Sequence, residues 1–423
     1  MNPCQTKLLA LSLFLAVLLR AVGAGASPLE RTEPATLPEL LARFEQSNPG
    51  LVMARRQIAA AQARAAYAGS LESPRLSAAV MNVPSLSGPS VTLSQGIPGG
   101  DKRRLMAEAA TQETEMVRQD YERQRLAARS ELEQSFYEVS TFDQAIRINQ
   151  RIHAQLTDML KAATAKYAVG SGLLQDSIRA QVEIGKLDSS RFEFERKLAT
   201  ARAKVNRLVN RALDAPVATV TLPLTSPPPD EEALTALAFA HSPMLKGLKA
   251  QIVASEAQRA IALQDARVPD FDVGVQVGRS MPGDMGYVGG MVGINLPWLA
   301  AGRYQQRADE ASQSVAIQQA RWRAQESDTR LRIRERLDQL EQSRKQVELA
   351  RRMLVPQSQQ AINAALGAYR VNKADFTTVL EAEKALFETQ MDSITALGEY
   401  HKTWAMLEEE VGVPIDLPKE ETR

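Results

Sequence analysis

The chain carries one pattern twice, about 200 residues apart. Residues 49–66 align with residues 243–260 at an offset of 194, with seven identities in eighteen positions. Residues 166–183 match 368–385 in the same order. Repeats of about 20–50 residues form stacked units, whereas a block this long predicts a pseudo-two-fold chain. The expected repeats span residues 27–211 and 231–411, joined by a proline-rich linker at 212–230 and followed by a charged tail at 412–423.

The first 26 residues have the features of a signal peptide. Lys7 precedes the apolar stretch 8–19, and small residues follow at 24–26. Cys4 is the only cysteine and would leave with this segment, so the mature chain is expected to lack disulfides and thiolate chemistry. Without Lys7 and Arg20 the net charge falls from +1 to about −1, which argues against nucleic-acid binding.

Composition favours long helices packed through small residues. Aromatic residues make up only 5% of the chain, and alanine supplies much of its apolar fraction. After the first 26 residues no apolar run approaches the roughly 20 residues of a membrane helix. If this chain crosses a membrane, strands are expected to do so.

Each half contains two strands, expected at about 76–97 and about 270–296. Apolar residues alternate there with polar or small ones, which is the period of a strand with two unlike faces. Proline cannot donate to a sheet ladder and glycine turns freely, so we predict a strand-to-helix transition after each pair. The residues assigned to these transitions are Pro98, Gly100, Pro297 and Gly302.

A hairpin of very long helices follows each strand pair. The first is expected at about 101–211 with its tip at about 169–176, and the second at about 303–411 with its tip at about 371–379. Pro356 lies inside the second and predicts a kink. Apolar residues follow a 4-3 spacing interrupted by polar ones, which suits helices side by side in a wall. The seam residues are Leu132, Phe136, Val139 and Ile146 in the first half, and Ile333, Leu337, Leu340, Val347 and Leu354 in the second.

The expected fold class is mainly α with a small β part. Four strands cannot close a membrane barrel, and an open strand edge cannot face lipid. Several chains must therefore pool their strands. Two chains would give eight strands with a filled interior, whereas three would give twelve and leave a passage.

At this point the chain resembles the TolC-type outer-membrane efflux factors. The resemblance rests on the duplicated helix–strand–strand–helix–helix order and on two turn motifs. These read Tyr167-x-x-Gly170 with Asp176 and Ala180, and Tyr369-x-x-Asn372 with Val379, Leu380 and Ala382. Asn372 stands where the family usually has glycine, but asparagine tolerates a left-handed conformation.

The resemblance implies a homotrimer in the outer membrane of a Gram-negative bacterium, with most of its mass in the periplasm. A twelve-stranded β-barrel would continue as a twelve-helix α-barrel. Its tips would meet a periplasmic adaptor protein served by an inner-membrane proton-driven pump. Residues 94–110 and 296–298 look most like the heavy-metal (CzcC-like) branch, so heavy-metal cations are the expected cargo. Drug efflux and type I secretion by the same fold remain alternatives, as does a periplasmic coiled-coil adaptor or scaffold without a channel.

The hairpin tips are the candidate functional residues. A purely structural role in a tight turn is the alternative for the glycines. Within the resemblance, Asp176 and Glu381 would ring the periplasmic aperture and select cations, whereas the alternative is an acid that favours a helix start. The expected adaptor-contact residues are Val169, Gly170, Ser171, Gly172, Asn372, Lys373 and Ala374.

No cofactor, metal site or catalytic site is expected. His153, His241 and His401 lack partners at ligand spacing, and nucleotide-binding and nucleophile motifs are missing. The chain is therefore interpreted as a non-enzyme. Met281, Met285 and Met291 would suit soft Cu(I), but loop filling or membrane-facing packing is favoured. Tyr287 and Trp298 are interpreted as an interfacial aromatic girdle.

Overall fold

The computed structural model describes residues 33–81, 88–223, 227–280 and 285–415. The expected signal peptide, Met281 and residues 416–423 of the expected tail lie outside these ranges. The side chain of Met285 also lies outside the description.

Helices dominate, and two strand pairs interrupt them. The first half contains α1 (Leu37–Ser47), α2 (Pro49–Ala68), β1 (Arg75–Met81), β2 (Gly88–Ile97), α3 (Lys102–Ala168) and α4 (Leu174–Leu208). The second contains α5 (Glu231–His241), α6 (Pro243–Asp265), β3 (Phe271–Ser280), β4 (Met285–Ile294), a 3₁₀ turn (Pro297–Ala300), α7 (Ala301–Leu349), a π-helical segment (Ala350–Leu354), α8 (Val355–Arg370) and α9 (Phe376–Val411).

Proline and a polar cap separate the short helices that open each half. Asn48 ends α1 and caps α2, where its side-chain oxygen accepts a hydrogen bond from the backbone N–H of Leu51 at 3.0 Å. Its amide nitrogen donates to the carbonyl of Leu208 at 2.8 Å. This buried asparagine therefore joins the start of the first half to the end of its long hairpin.

The four strands form one antiparallel sheet in the order β1-β2-β3-β4. The central pairing, β2 with β3, joins the two halves of the chain and places Ile97 opposite Phe271. Among the described residues, the outer edges of β1 and β4 have no strand partner.

The two faces of the sheet are unlike. One face is apolar, and its larger aliphatic and aromatic side chains are 38–80% exposed. The other carries glycine, serine, threonine and polar residues. The exposed apolar face consists of Leu76, Val80, Val91, Leu93, Phe271, Val273, Val275, Val277, Val288, Val292 and Ile294.

Two larger side chains, those of Tyr287 and Met291, lie on the face opposite the exposed apolar side chains. Tyr287 pairs across the strands with Gly278, and its ring covers that glycine. Met291 pairs with Gly274 on the same small-residue face. The period of two puts both side chains on the non-apolar side of the sheet. Trp298 is exposed in the 3₁₀ turn after β4.

The long helices build the rest of the molecule. At 1.5 Å per residue, the 67 residues of α3 span roughly 100 Å. α3 packs against α4, α6 and α9, and α7 packs against α6 and α9. The seam residues are buried except Ile146, which is half-buried, and Leu354, which is exposed at the end of the π-helical segment. No helix among the described residues is both long enough and apolar enough to cross a bilayer.

The interruption expected at Pro356 is a π-helical segment ending two residues before it. Because proline has no N–H, the regular ladder cannot continue through this position. The N–H of Val355 instead bonds the carbonyl of Ala350, the wider i→i+5 spacing. The four seam residues of the first half lie 201 positions before Ile333, Leu337, Leu340 and Val347, whereas Tyr167 and Tyr369 are 202 apart. The second half thus has one extra residue in the stretch that contains the π segment.

A buried lysine connects the halves beneath the sheet. Lys102, the first residue of α3, is 2% exposed, and its ammonium lies 2.8 Å from Asp265 and 2.7 Å from Asp270. Asp270 also accepts the backbone N–H of Gly99 at 2.8 Å. The transition after β2 is therefore fixed to the connection before β3, with Gly100 at φ +63° completing the turn.

Replacing this lysine is expected to destabilise the junction. Lys102→Met would leave two carboxylates without their cation. We expect a loss of about 2 kcal/mol, less than for a fully buried pair, because the carboxylates are 31% and 40% exposed. Thermal unfolding of the purified protein measures it, with Lys161→Met at an exposed ion pair as the control. Equal melting temperatures for both variants would contradict the assigned role.

Candidate functional site: the two helical turns

Both long hairpins turn through the same backbone motif. In the first, the N–H of Gly170 bonds the carbonyl of Tyr167 and the N–H of Ser171 bonds that of Lys166. In the second, Asn372 and Lys373 make the equivalent bonds to Tyr369 and Ala368. This is the Schellman arrangement, which requires a left-handed residue after the helix cap. Gly170 at φ +72° and Asn372 at φ +58° supply it, so the asparagine performs the turn as expected.

The turns are shorter than the sequence predicted. The first ends at Leu173 because α4 begins at Leu174, so Asp176 lies in the first turn of that helix. The second ends at Asp375, whose carboxylate accepts the backbone N–H of Thr378 at 2.8 Å and caps α9. Hydrogen bonds from the side chain and backbone of Thr378 lower the pKa of Asp375. An Asp-x-x-Thr cap signal was present in the sequence and marks the true start of α9.

A lysine that sequence reasoning did not single out joins the two turns. The ammonium of Lys166 donates to the carbonyl of Tyr369 and to the side-chain oxygen of Asn372, both at 2.8 Å. It also lies 4.0 Å from the centre of the Tyr369 ring. Farther along, Arg179 donates to the hydroxyl of Thr377. The two tips are therefore held side by side within one chain.

The outer surface of the tips is apolar and exposed. Four large aliphatic side chains project there without cover, although each tip also has polar groups at its turn. Apolar groups this exposed at a loop tip indicate a contact surface more than a packing requirement. They are Val169, Leu173, Leu174 and Val371.

The two candidate acids lie at different helical positions. Asp176 is the third residue of α4 and half-buried, whereas Glu381 is the sixth residue of α9 and exposed. At the offset of 202, the position of Glu381 corresponds to Arg179, so the two acids are not counterparts in the repeat. Burial and, secondarily, the charge of Asp176 raise the pKa of the Tyr369 phenol. Asp176 therefore lies close to the second hairpin.

A third acid, Glu383, is buried behind the tips. It is 2% exposed on α9, between the buried residues Val379 and Leu386. One of its carboxylate oxygens, Oε1, has no hydrogen-bond partner. Burial raises its pKa to about 7. The 4-3 spacing of Val379, Glu383 and Leu386 was the sequence signal that places an acid on the apolar face.

Glu383 is expected to make stability depend on pH. The folded chain keeps this proton up to about pH 7, whereas the unfolded chain loses it near 4.5. Its contribution to stability is therefore full below about pH 4.5 and is lost as the pH rises to about 7. Glu383→Gln stays neutral, so its melting temperature should exceed that of the wild type above pH 7 and converge with it near pH 5.

Glu381→Gln, two residues away and exposed, is the matched control and should leave the pH profile unchanged. Melting curves from pH 5 to pH 8 measure all three proteins. Parallel profiles for the wild type and Glu383→Gln would contradict the assignment.

The histidines do not gather into a metal centre. His153 lies 3.6 Å from Asp188, and His401 is buried with Nε2 3.0 Å from the carbonyl of Pro223. Burial lowers the pKa of His401, against a smaller opposing effect of that hydrogen bond. Within the described ranges, no group of three histidine, cysteine, aspartate or glutamate side chains is arranged to hold a metal ion.

Solved structures share this fold over nearly the whole chain. The outer-membrane channel OprN superimposes with a TM-score of 0.78 at 15% identity, covering 92% of this chain and 94% of that one. The outer membrane protein VceC from Vibrio cholerae gives 0.76 at 17% identity, covering 90% and 97%. CusC gives 0.76 at 15% identity, covering 92% and 96%. At these identities the likeness concerns the fold.

Sequence comparison points to the same group of proteins. The cobalt-zinc-cadmium resistance protein CzcC of Cupriavidus metallidurans is 22% identical over 398 residues, covering 91% of this chain and 92% of that protein. The family model described as outer membrane efflux protein matches residues 40–211 and again residues 234–413. The resemblance inferred from the turn motifs is thus confirmed, and this chain belongs to the outer membrane efflux protein family.

Proposed function

We propose that three copies of this chain close a twelve-stranded barrel in the outer membrane and continue it as a twelve-helix tunnel in the periplasm. The observation that carries the proposal is the sheet, whose exposed apolar face and two outer edges, unpaired among the described residues, are unstable in water. Lipid would cover the face, and neighbouring copies would pair the edges. The small, polar opposite face would line the passage.

The tips are the proposed docking surface for a periplasmic adaptor protein. Their exposed valines and leucines supply apolar contacts, and the Lys166 bridge holds the two turns together. The chain would conduct passively, and an inner-membrane proton-driven pump would supply the energy. Heavy-metal cations are the proposed cargo, supported by the similarity to a cobalt-zinc-cadmium resistance protein.

The two faces of β4 give a direct test of the barrel. Val292→Arg places a charge on the lipid side, at a cost of roughly 2–4 kcal/mol near the bilayer centre. Met291→Arg, one residue earlier, places it on the water side. We expect the first variant to lose most of its outer-membrane assembly and the second to keep it, measured by membrane fractionation. Equal assembly of both variants would contradict a lipid-facing apolar face.

Cargo and aperture are tested in cells. Deleting the gene is expected to lower tolerance to Co²⁺, Zn²⁺ and Cd²⁺, and the wild-type gene should restore it. The double variant Asp176→Asn, Glu381→Gln should restore less, because a ring of carboxylates concentrates cations at a narrow opening. Asp158→Asn, an exposed acid paired on its own helix, is the control.

Two results would contradict parts of the proposal. Unchanged metal tolerance after deletion, with lost tolerance to a drug, would replace the cargo by the drug-efflux alternative. Full restoration by the double variant would remove the aperture role from Asp176 and Glu381.

A further inference from the structure

We propose that β4 of one copy of this chain pairs with β1 of the next in one fixed register, and that Arg303 forms an ion pair there with Glu72 of the neighbouring copy. The inference rests on the proposed assembly of several copies and names the contacts that would hold it together. Its basis is the junction that the chain already makes between its own two halves.

The pairing of β2 with β3 is the internal template. β2 is the second strand of the first half and β3 is the first strand of the second half. β4 and β1 occupy those same positions in their halves, and both have a free edge. If the repeat is extended from copy to copy, β4 must meet the next β1 as β2 meets β3.

The register follows from matched positions. Ile97 and Leu296 each precede the proline that ends a strand pair, so Ser94 corresponds to Gly293. Ser94 pairs with Arg75 and Gly293 pairs with Asp272, so those two residues also correspond. Transferring the β2–β3 register places β4 residues opposite residues of the neighbouring β1 as follows: Ile294 with Leu76, Val292 with Ala78, and Gly290 with Val80.

This register keeps the two faces of the sheet continuous. Leu76 and Val80 lie on the apolar face of β1, and Ile294 and Val292 lie on the apolar face of β4. A slip by one residue would turn the apolar side chains of one strand toward the polar face of the other. The inferred pairing therefore extends the exposed apolar surface across the boundary between copies.

The ion pair follows from the buried junction beneath the sheet. Counting back along the long helices by the seam offset of 201 places Arg303 at the position of Lys102. The acids that bind Lys102 are Asp265, the last residue of α6, and Asp270, in the connection before β3. The matching connection before β1, residues 69–74, contains one carboxylate, Glu72.

Within a single chain, Arg303 and Glu72 have no ion-pair partner among the described residues. Both side chains are exposed. Exposed apolar side chains flank them, Trp298 on the Arg303 side and Leu71 on the Glu72 side. In the proposed assembly, a neighbouring copy would cover Arg303 and Glu72 in the same way that α6 and the connection before β3 cover Lys102.

Cysteine pairs test the register in the full chain carrying Cys4→Ser. Directly opposite residues place their Cβ atoms about 4.5–5.5 Å apart, within reach of a disulfide. On oxidation, Ala78→Cys with Val292→Cys is expected to shift from the single-chain band to bands of two and three chains. Ala79→Cys with Val292→Cys is the control and should stay at the single-chain band, since residue 79 lies on the other face.

Particle mass measured on the same samples separates the possible failures. If particles contain three chains but the first pair does not link, or the control links equally, the register is wrong and the proposed channel stands. If the particles are single chains, the proposed assembly fails together with this inference.

Charge reversal tests the ion pair. Glu72→Arg is expected to reduce the fraction of protein in multi-chain particles, and adding Arg303→Glu should recover most of it. Glu310→Arg, at an exposed acid on α7, is the control and should leave the fraction unchanged. A double variant that recovers nothing beyond Glu72→Arg would overturn the pair, whereas recovery specific to Arg303→Glu supports it.

Discussion

The unpaired strand edge is the constraint on which the rest of the structure depends. A four-stranded sheet with one apolar face cannot satisfy its outer backbone groups and hide that face within a single chain. In the proposed barrel, lipid would cover the apolar face, which requires every N–H and C=O to be bonded and therefore a closed sheet. In the proposed assembly, neighbouring copies close the sheet, and each copy contributes four strands to the wall. Because the chain is duplicated, each half supplies the same pair of strands and the same long hairpin to that wall.

The long helices, like the sheet, need neighbours on two sides. Long helices that touch neighbours on two sides cannot carry a single dry seam, so buried aliphatic residues alternate with small and polar ones. Two lysines join separate parts of the chain at opposite ends of the long helices. Lys102 is buried between two carboxylates where β2 leads into α3, and Lys166 bridges the two tips at the far end. Between them, the stretch of the second half that has one extra residue contains the π-helical segment.

Sequence periodicity was enough to predict the element order, the alternating strands and the left-handed turn at Asn372. Each of these features can be recognised locally. The strands follow from a period of two, the long helices from a period near 3.5, and the turn from one residue that tolerates φ above zero. The roles of Lys102, Lys166 and Glu383 depend on residues more than 150 positions away, or on packing around a single side chain. Lys166 looked like an ordinary helix-end cation, and only the structure places Asn372 beside it. The alternation of the strand already assigned Tyr287 to the face opposite Val288 and Val292, and the pairing of Tyr287 with Gly278 agrees with it.

The most direct test of the central claim is planar-bilayer conductance of the detergent-purified protein, with the particle mass determined in the same preparation. The account predicts particles of three chains that give small, cation-selective and mostly closed currents. A particle of one or two chains without conductance would contradict it, because the free edges of β1 and β4 would then need another explanation.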